Sequence, residues 1–461
     1  MFKIEPKAKP SLLSAFILTG MILALISFSI IKLESVPHIP ILLSIFVLLT
    51  FGAFKKIPFK TMEEGMMAGA KSGMGAVFIF FLIGVLISSW MLSGTIPTMI
   101  YTAFGLVTPN FFYSVVFLVV AIVGLGIGSS LTTVATIGVA FIGVSQAVDA
   151  SAAITAGAVV SGAFFGDKMS PLSDTTNLAA SIVGVDLFTH IRNMCWTTVP
   201  AFFITLVLFG FISPEVEQTQ FPKMEAMKAT LEKMDLIHWY AWLPLLLLFL
   251  LSIKKVSPVV TLSLSSVFGV LLSFAHSGKT LAEVWGILFS GFVSETGNAE
   301  VDALLTRGGL DSMMFTISLV LLSLGLGGLL FSLGIVPRLF EAIEHHLRKA
   351  GSTVAAAAFS AIGINFIIGE QYLSILLTGE AFQRQFEKVG LARKNLARTL
   401  EDAGTVINPL VPWGVCGVFI TKMLGVATID YLPFAFFCLL SPLLTILYGM
   451  TGWTLTKKEE A

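Results

Sequence analysis

Apolar runs recur along the chain at 11–31, 39–54, 73–96, 111–146, 151–165, 193–212, 237–253, 256–275, 313–336, 352–381, 405–425 and 431–453. Most come close to the roughly 20 residues that a helix needs to cross a bilayer. The pattern predicts an all-α polytopic membrane protein. The first run lacks an A-x-A-like cleavage site and belongs to the same evenly spaced series, so it reads as a retained helix and not a signal peptide. Composition agrees: 56% of the 461 residues are hydrophobic and 12% charged, with a mean hydropathy of +0.91. A water-soluble globular domain is excluded on those values, and lipid is the expected surrounding. The formal net charge is zero, which removes the electrostatic case for nucleic acid. Cys195, Cys416 and Cys438 are scattered in apolar sequence without metal-ligand spacing and read as packing residues.

Landmarks repeat in the same order roughly 240 residues apart, as expected for a transporter built from two structural repeats. Lys60-Thr61-Met62-Glu63-Glu64 answers Lys279-Thr280-Leu281-Ala282-Glu283, Ser93-Gly94-Thr95-Ile96-Pro97 answers Leu333-Gly334-Ile335-Val336-Pro337, Gly126-Ile127 answers Gly363-Ile364, and Pro171 answers Pro409. A polar insertion around Glu295 to Asp311 lengthens the second half. The expected division is a first repeat over 1–212, an exterior connecting segment over 213–236 and a second repeat over 237–461.

Loops rich in Lys and Arg stay in the cytoplasm. Both termini, Lys55/Lys56/Lys60, Lys254/Lys255, Arg338/Arg348/Lys349 and the Arg384 to Arg398 segment are therefore placed inside, with 98–110 and 213–236 outside. Both flanks of the 111–146 run are poor in basic residues, and both flanks of the 352–381 run are rich in them. Each run then enters and leaves on one side, as a re-entrant hairpin, and the two hairpins enter from opposite faces. The expected topology is two inverted repeats, each of five transmembrane helices plus one hairpin. Broken helices over 151–185 and 399–425 would carry the binding site.

Non-helical backbone at membrane depth survives only where it lines protein or a wet cavity. Four segments qualify: hairpin tips at Gly124 to Thr133 and Gly363 to Gln371, and breaks at Asp167 to Asn177 and Glu401 to Pro412. Their carboxylate, hydroxyl and amide oxygens suit a hard cation, and sodium fits better than a transition metal. The candidate ion or substrate residues are Asp167, Ser170, Asp174, Thr175, Thr176 and Asn177 in the first break and Ser129, Ser130, Thr132 and Thr133 in the first tip. From the second half come Asn365, Glu370, Asp402, Thr405 and Asn408. Asp167, Asp174, Thr175 and Asn177 are the expected sodium ligands, with Asp174 the principal coupling carboxylate. Proton and cation would compete for it, and competition at a site reached alternately from each side suffices for antiport. No catalytic residue and no resident cofactor are expected.

Plainer roles stand beside these. Lys168 could neutralise Asp174 or another acid as a structural pair. Ser129, Ser130, Thr132 and Thr133 could cap or back-bond to helix carbonyls. Glu401 and Asp402 follow Arg398 and are placed at the cytoplasmic rim, and His345 and His346 in a solvated loop. An intramembrane protease would need its two acids to activate one water, and a channel would need a continuous pore; neither suits paired, opposed hairpins.

The segment Gly166-Asp167-Lys168-Met169-Ser170-Pro171-Leu172-Ser173-Asp174-Thr175-Thr176-Asn177-Leu178-Ala179 resembles the NhaC-type sodium/proton antiporter family. Arg398-Thr399-Leu400-Glu401-Asp402-Ala403-Gly404-Thr405 and Pro409-Leu410-Val411-Pro412-Trp413 resemble that family's second break. The resemblance implies a multi-pass protein of the bacterial cytoplasmic membrane that exchanges internal sodium for external protons. Similar proteins in the same family exchange malate with protons for lactate with sodium, which is the alternative reading. Neither break holds an arginine set for a bidentate grip on a dicarboxylate. A homodimer is left open.

Overall fold

A computed structural model describes residues 6–33, 35–106, 111–213, 221–254, 256–275, 277–344 and 348–458. His345 and His346 lie outside the described residues, as do parts of the two segments assigned to the exterior. The chain is mostly helical, and the described residues contain no β-strand, only the isolated bridges Phe292–Arg307 and Leu391–Lys457. Five helices are long and apolar enough to cross a membrane: Leu12–Ile31, Ser130–Ala147, Leu187–Ile212, Asp311–Ser332 and Ala350–Ile368. Three bent pairs of helices bring the total to as many as eight. This is a multi-pass membrane protein. Its outer surface is apolar where lipid would lie, with Phe46, Phe203, Phe211, Val267 and Leu443 exposed.

Small residues set the close contacts. Between Phe59–Ser72 and Met314–Ser332, a Cβ at Gly69 would stand 2.2 Å from the Leu324 carbonyl, and one at Gly328 2.3 Å from the Gly65 carbonyl. Such backbone-to-backbone packing replaces the hydrophobic drive that lipid removes. Cys416 and Cys438 are buried and unpaired, and Cys195 is half-buried.

Helices stop and restart at matched places in the two halves. Phe112–Ile127 ends at Gly128 (φ 69°) and Ala350–Ile368 ends at Gly369 (φ 77°), left-handed positions that suit glycine. The next residue caps the following helix: Ser129 accepts from the Thr132 N–H, and Glu370 from the Leu373 N–H. Ala152–Met169 gives way to Asp174–Val183, ending at Gly184 (φ 70°). Arg393–Leu410 gives way to Val415–Leu424, bent by 47° and ending at Gly425 (φ 70°). The second interruption thus falls at 411–414 and includes Pro412. Pro409, the expected partner of Pro171, sits in the 3-10 turn Asn408–Leu410 just before it.

Candidate functional site

The first break is built by its own sequence. Ser170 turns extended (ψ 130°), and Pro171, which has no N–H, cannot continue the helix. Ser173 then caps the next segment by accepting from the Thr176 N–H at 3.4 Å. The Asn177 side-chain amide donates to the freed Pro171 and Ser173 carbonyls at 3.0 and 2.7 Å. Thr176 donates to the Lys168 carbonyl at 3.1 Å, and the Ser170 hydroxyl accepts from the Leu172 N–H at 3.2 Å. The backbone that the break exposes is therefore satisfied from within, as a low-dielectric setting requires.

Asp167 and Asp174 flank the break in different surroundings. Asp167 is buried and faces Ser130 of the first tip and Ser173. Asp174 is exposed into a cavity of about 310 Å³, lined also by Ser129, Thr132, Asn177 and Thr261. Asp174 also lines a smaller cavity of about 50 Å³ that holds Asp167, Ser130, Thr175, Glu370 and Tyr372. Asp174, Gly128 and Ser129 border both spaces. Each tip seats on the break of its own half. A Cβ at Gly128 would stand 2.6 Å from the Leu172 Cβ, and the Gly369 carbonyl accepts from the Val415 N–H at 2.8 Å.

The tip hydroxyls divide between the two roles considered for them. Thr133 donates to the Ser129 carbonyl at 2.8 Å, one turn back, so it is a back-bonding residue. Ser129 and Thr132 meet at 3.0 Å and still line the outer cavity. Thr175 meets Ser173 at 3.1 Å. Glu370 caps its helix at 2.8 Å and also faces the inner cavity. Asn365 and Asn408 do not reach either cavity. Asn365 donates to the Gly404 carbonyl at 2.7 Å, while Asn408 donates to the Asn365 oxygen at 2.8 Å and accepts from the Cys416 N–H at 2.8 Å. They fasten the second tip to the second break. Tyr372 in the inner cavity was not anticipated, because a tyrosine after a glycine turn carries no sequence mark of its own.

The rim placement of Arg398, Glu401 and Asp402 is overturned, since all three are at most 1% exposed. Arg393–Leu400 continues into a wider turn at Glu401–Thr405, packed among Ala350–Ile368, Gln371–Lys388 and Phe436–Thr451, which carries these charges inward. Lys168 pairs with Asp402 and not with Asp174; both side chains are fully buried. Thr197 donates to the same Asp402 oxygen at 3.1 Å, Ser441 lies 3.4 Å from the Lys168 ammonium, and the Phe437 ring covers it at 5.6 Å. The pair ties the helix before the first break to the second broken helix. Asp402 and Thr405 therefore sit apart from the cavity residues. Among the described residues, no three His, Cys, Asp or Glu side chains converge as a metal centre would need.

Residues 162–453 match the model of the Na+/H+ antiporter family. The chain belongs to that family. It is 43% identical to the Na+/H+ antiporter NhaC of Alkalihalophilus pseudofirmus, with 96% of each chain covered. It is 42% identical to the Na+/H+ antiporter NhaC of Bacillus subtilis over 90% of this chain and 92% of the other. It is 31% identical to the malate-2H+/Na+-lactate antiporter of Bacillus subtilis, over 96% and 95%. The resemblance found in the two breaks thus extends over nearly the whole length. In this Na+/H+ antiporter family member, the close approach of Gly166 to the first tip is a point of leverage. A Cβ there would stand 2.5 Å from Gly124 and Leu125 backbone atoms. Gly166→Ala should part the two helices and move Asp167 off Ser130. The expected result is about a tenfold rise in half-saturating sodium, equivalent to roughly 1.4 kcal/mol, measured by sodium titration of proton flux.

Proposed function

We propose that this protein is a secondary active antiporter that moves cytoplasmic Na+ outward in exchange for external H+ across the bacterial cytoplasmic membrane. Its carrying observation is Asp174, the carboxylate that borders both the wide cavity and the small inner one. An ion arriving through the outer space meets Asp174 first and then Asp167, with hydroxyls of Ser129, Ser130 and Thr175 beside them. A hard monovalent cation prefers that oxygen set. Protonation of the same carboxylates removes the negative charge that holds sodium, so the site carries either sodium or protons at one time. Asn177 holds the break open through its two amide bonds, and its oxygen is the part of it left for an ion. The half-helix starting at Asp174 would present its N–H end, and Ala152–Met169 its carbonyl end, to the same space.

The paired left-handed glycines and paired interruptions support two repeats, each with one re-entrant hairpin, and the positions of the basic loops favour ten spans with both termini inside. An odd number of crossings per half inverts the second half. The outer cavity includes Val256, Ser257 and Pro258 beside the basic Lys254 loop, which favours a cavity open to the cytoplasm. The hairpins fit an elevator-like movement, by analogy with the fold alone.

The malate/lactate reading has support from the relative of that name. Against it, neither cavity that Asp174 borders has an arginine or lysine among its described lining residues, so a carboxylate would meet acids without a cationic grip. Sodium-driven proton movement in proteoliposomes, followed with a fluorescent pH probe, distinguishes the two. Movement with sodium alone is expected; movement only after malate or lactate is added would replace this reading with carboxylate exchange.

A further inference from the structure

The polar insertion that lengthens the second half borders a cavity of its own. Leu281–Ser290, just before it, is a helix of 10 residues, too short to span a bilayer. It packs on Met74–Leu92, buries Val284 and leaves Leu281, Trp285 and Phe289 exposed in a row along one face. Beyond it, Phe292 and Arg307 pair, each N–H donating to the other's carbonyl at 3.0 Å. The Gly309 N–H donates to the Ser88 hydroxyl at 2.7 Å and to the Gly84 carbonyl at 3.0 Å, which fixes the insertion to Met74–Leu92. Between these parts and the end of Val415–Leu424 lies a cavity of about 330 Å³, whose lining includes Ser290, Val293, Thr306, Arg307 and Lys422. That volume falls within the roughly 300–1,000 Å³ of small-molecule sites.

The cavity holds two cations and, among its described lining residues, no acid. Arg307 donates from Nε to the Leu304 carbonyl at 2.9 Å and from Nη1 to the Met423 carbonyl. The second contact brings its guanidinium next to the residue that follows Lys422. The Lys422 side chain is exposed, and among the described residues it has no carboxylate within ion-pair reach. Asp302, on the same insertion, is already engaged. It accepts from the Ser294 and Thr296 hydroxyls at 2.8 and 2.7 Å and from the Thr296 and Gly297 N–H groups at 2.7 and 3.1 Å. Cations suit the carbonyl end of a helix, and Arg307 serves the end of Val415–Leu424 through Nη1. That role leaves Nη2 and the Lys422 ammonium unmatched in one cavity. The Thr306 hydroxyl accepts from the Ser294 N–H at 3.1 Å, so its own hydrogen remains for a further acceptor.

We infer that this cavity binds the phosphate of an anionic phospholipid, whose acyl chains lie along Leu281, Trp285 and Phe289. Guanidinium and ammonium together supply the charge-assisted bonds that a phosphodiester accepts. What selects a lipid over a free anion is the apolar row. It leads to Ser290 and Val293 at the cavity's edge, and Val293 is itself 63% exposed, so the cationic site opens beside a surface that faces hydrocarbon. On the topology proposed above, the cavity lies one crossing beyond the Lys254 loop, at the exterior end. The phosphate bridges Arg307 of the insertion and Lys422 of the second broken helix. The site goes beyond the antiport reading and does not depend on it, since it shares no lining residue with the two cavities that Asp174 borders.

The purified full-length protein in a neutral detergent tests this, with dioleoyl-phosphatidylglycerol as the anionic probe and dioleoyl-phosphatidylethanolamine as the zwitterionic one. Phosphatidylglycerol should raise the thermal midpoint by several degrees at saturation, and phosphatidylethanolamine should not. Lys422→Gln should keep the midpoint measured without lipid and raise the half-saturating phosphatidylglycerol about tenfold, the loss expected for one charge-assisted contact. Lys422→Arg should stay close to the unaltered protein. Lys60→Gln, which removes an exposed lysine elsewhere, should change nothing. Native mass spectrometry should show one phosphatidylglycerol fewer on Lys422→Gln, which holds as a test even if that variant is less stable. Equal half-saturation by Lys422→Gln and the unaltered protein, or an equal loss in Lys60→Gln, would overturn the assignment of the lipid to this cavity. Equal stabilisation by inorganic phosphate or glycerol 3-phosphate would overturn it in favour of a soluble anion. No response to phosphatidylglycerol would overturn it outright.

Discussion

Asp174→Asn should abolish sodium-driven proton movement in proteoliposomes, with a loss of at least about a hundredfold, while the protein still inserts and purifies. The amide keeps the shape and can remain at the start of Asp174–Val183, where the side chain faces the cavity and is not itself the cap; that role belongs to Ser173. The variant therefore removes a negative charge and a titratable group with little change to the fold. A cation coordinated by neutral oxygens alone at this depth would lose the charge that offsets its dehydration, worth several kcal/mol at an effective dielectric of about 20. Asp167→Asn should lose a comparable amount, but with a second consequence: Asp167 also faces Ser130 and Ser173, so the first tip should loosen. Hydrogen exchange at Ser129 to Thr133 would report that difference. Retained sodium-coupled flux in Asp174→Asn would remove this residue from the coupling role and leave Asp167 or Glu370 as the carboxylate that matters.

The second large effect concerns stability. Asp402→Asn should lower the thermal midpoint in detergent by several degrees, and Lys168→Met by a similar amount, because each leaves the other member of a fully buried ion pair uncompensated. Breaking such a pair by removing one partner typically costs about 3–5 kcal/mol. The double variant, Lys168→Met with Asp402→Asn, should be more stable than either single one, since no unpaired charge remains. A double-mutant cycle is the measurement. Additive losses would mean that the two side chains do not interact in the folded protein. A stable double variant that has lost transport would show the pair is kept for function and not for stability, as buried ion pairs often contribute little net free energy.

Much of the site could be read along the chain because its residues are local in sequence. Pro171 stops one helix, Ser173 caps the next, and Asn177 returns to the freed carbonyls within a single turn. Both acids of the break fall in that stretch, so a cluster of ionisable groups between apolar runs was enough to mark it. The Gly128-Ser129 tip was also legible, as a left-handed glycine followed by a capping hydroxyl is a short-range device. The partners across the fold were not. Asp402 stands far from Lys168 in sequence, and nothing in Glu401-Asp402 distinguishes an inward turn from a rim. Its depth is set by packing against helices from elsewhere in the chain. Asn365 and Asn408 looked like ligands for the same reason: amide groups in a glycine-rich apolar segment suit either an ion or another amide, and here they meet each other at 2.8 Å.

The sequence by itself determined that this is a multi-pass helical membrane protein, that it is interrupted at two glycine turns and two breaks, and that oxygen-bearing side chains gather at those interruptions. Those properties follow from hydropathy and from backbone preferences that act over a few residues. The tertiary structure alone decided which interruptions share a cavity, which acid faces water and which acid faces an ammonium. These are matters of burial, and burial is settled by contacts between helices distant in the chain, where a displacement of a few ångströms turns a candidate ligand into a structural bond.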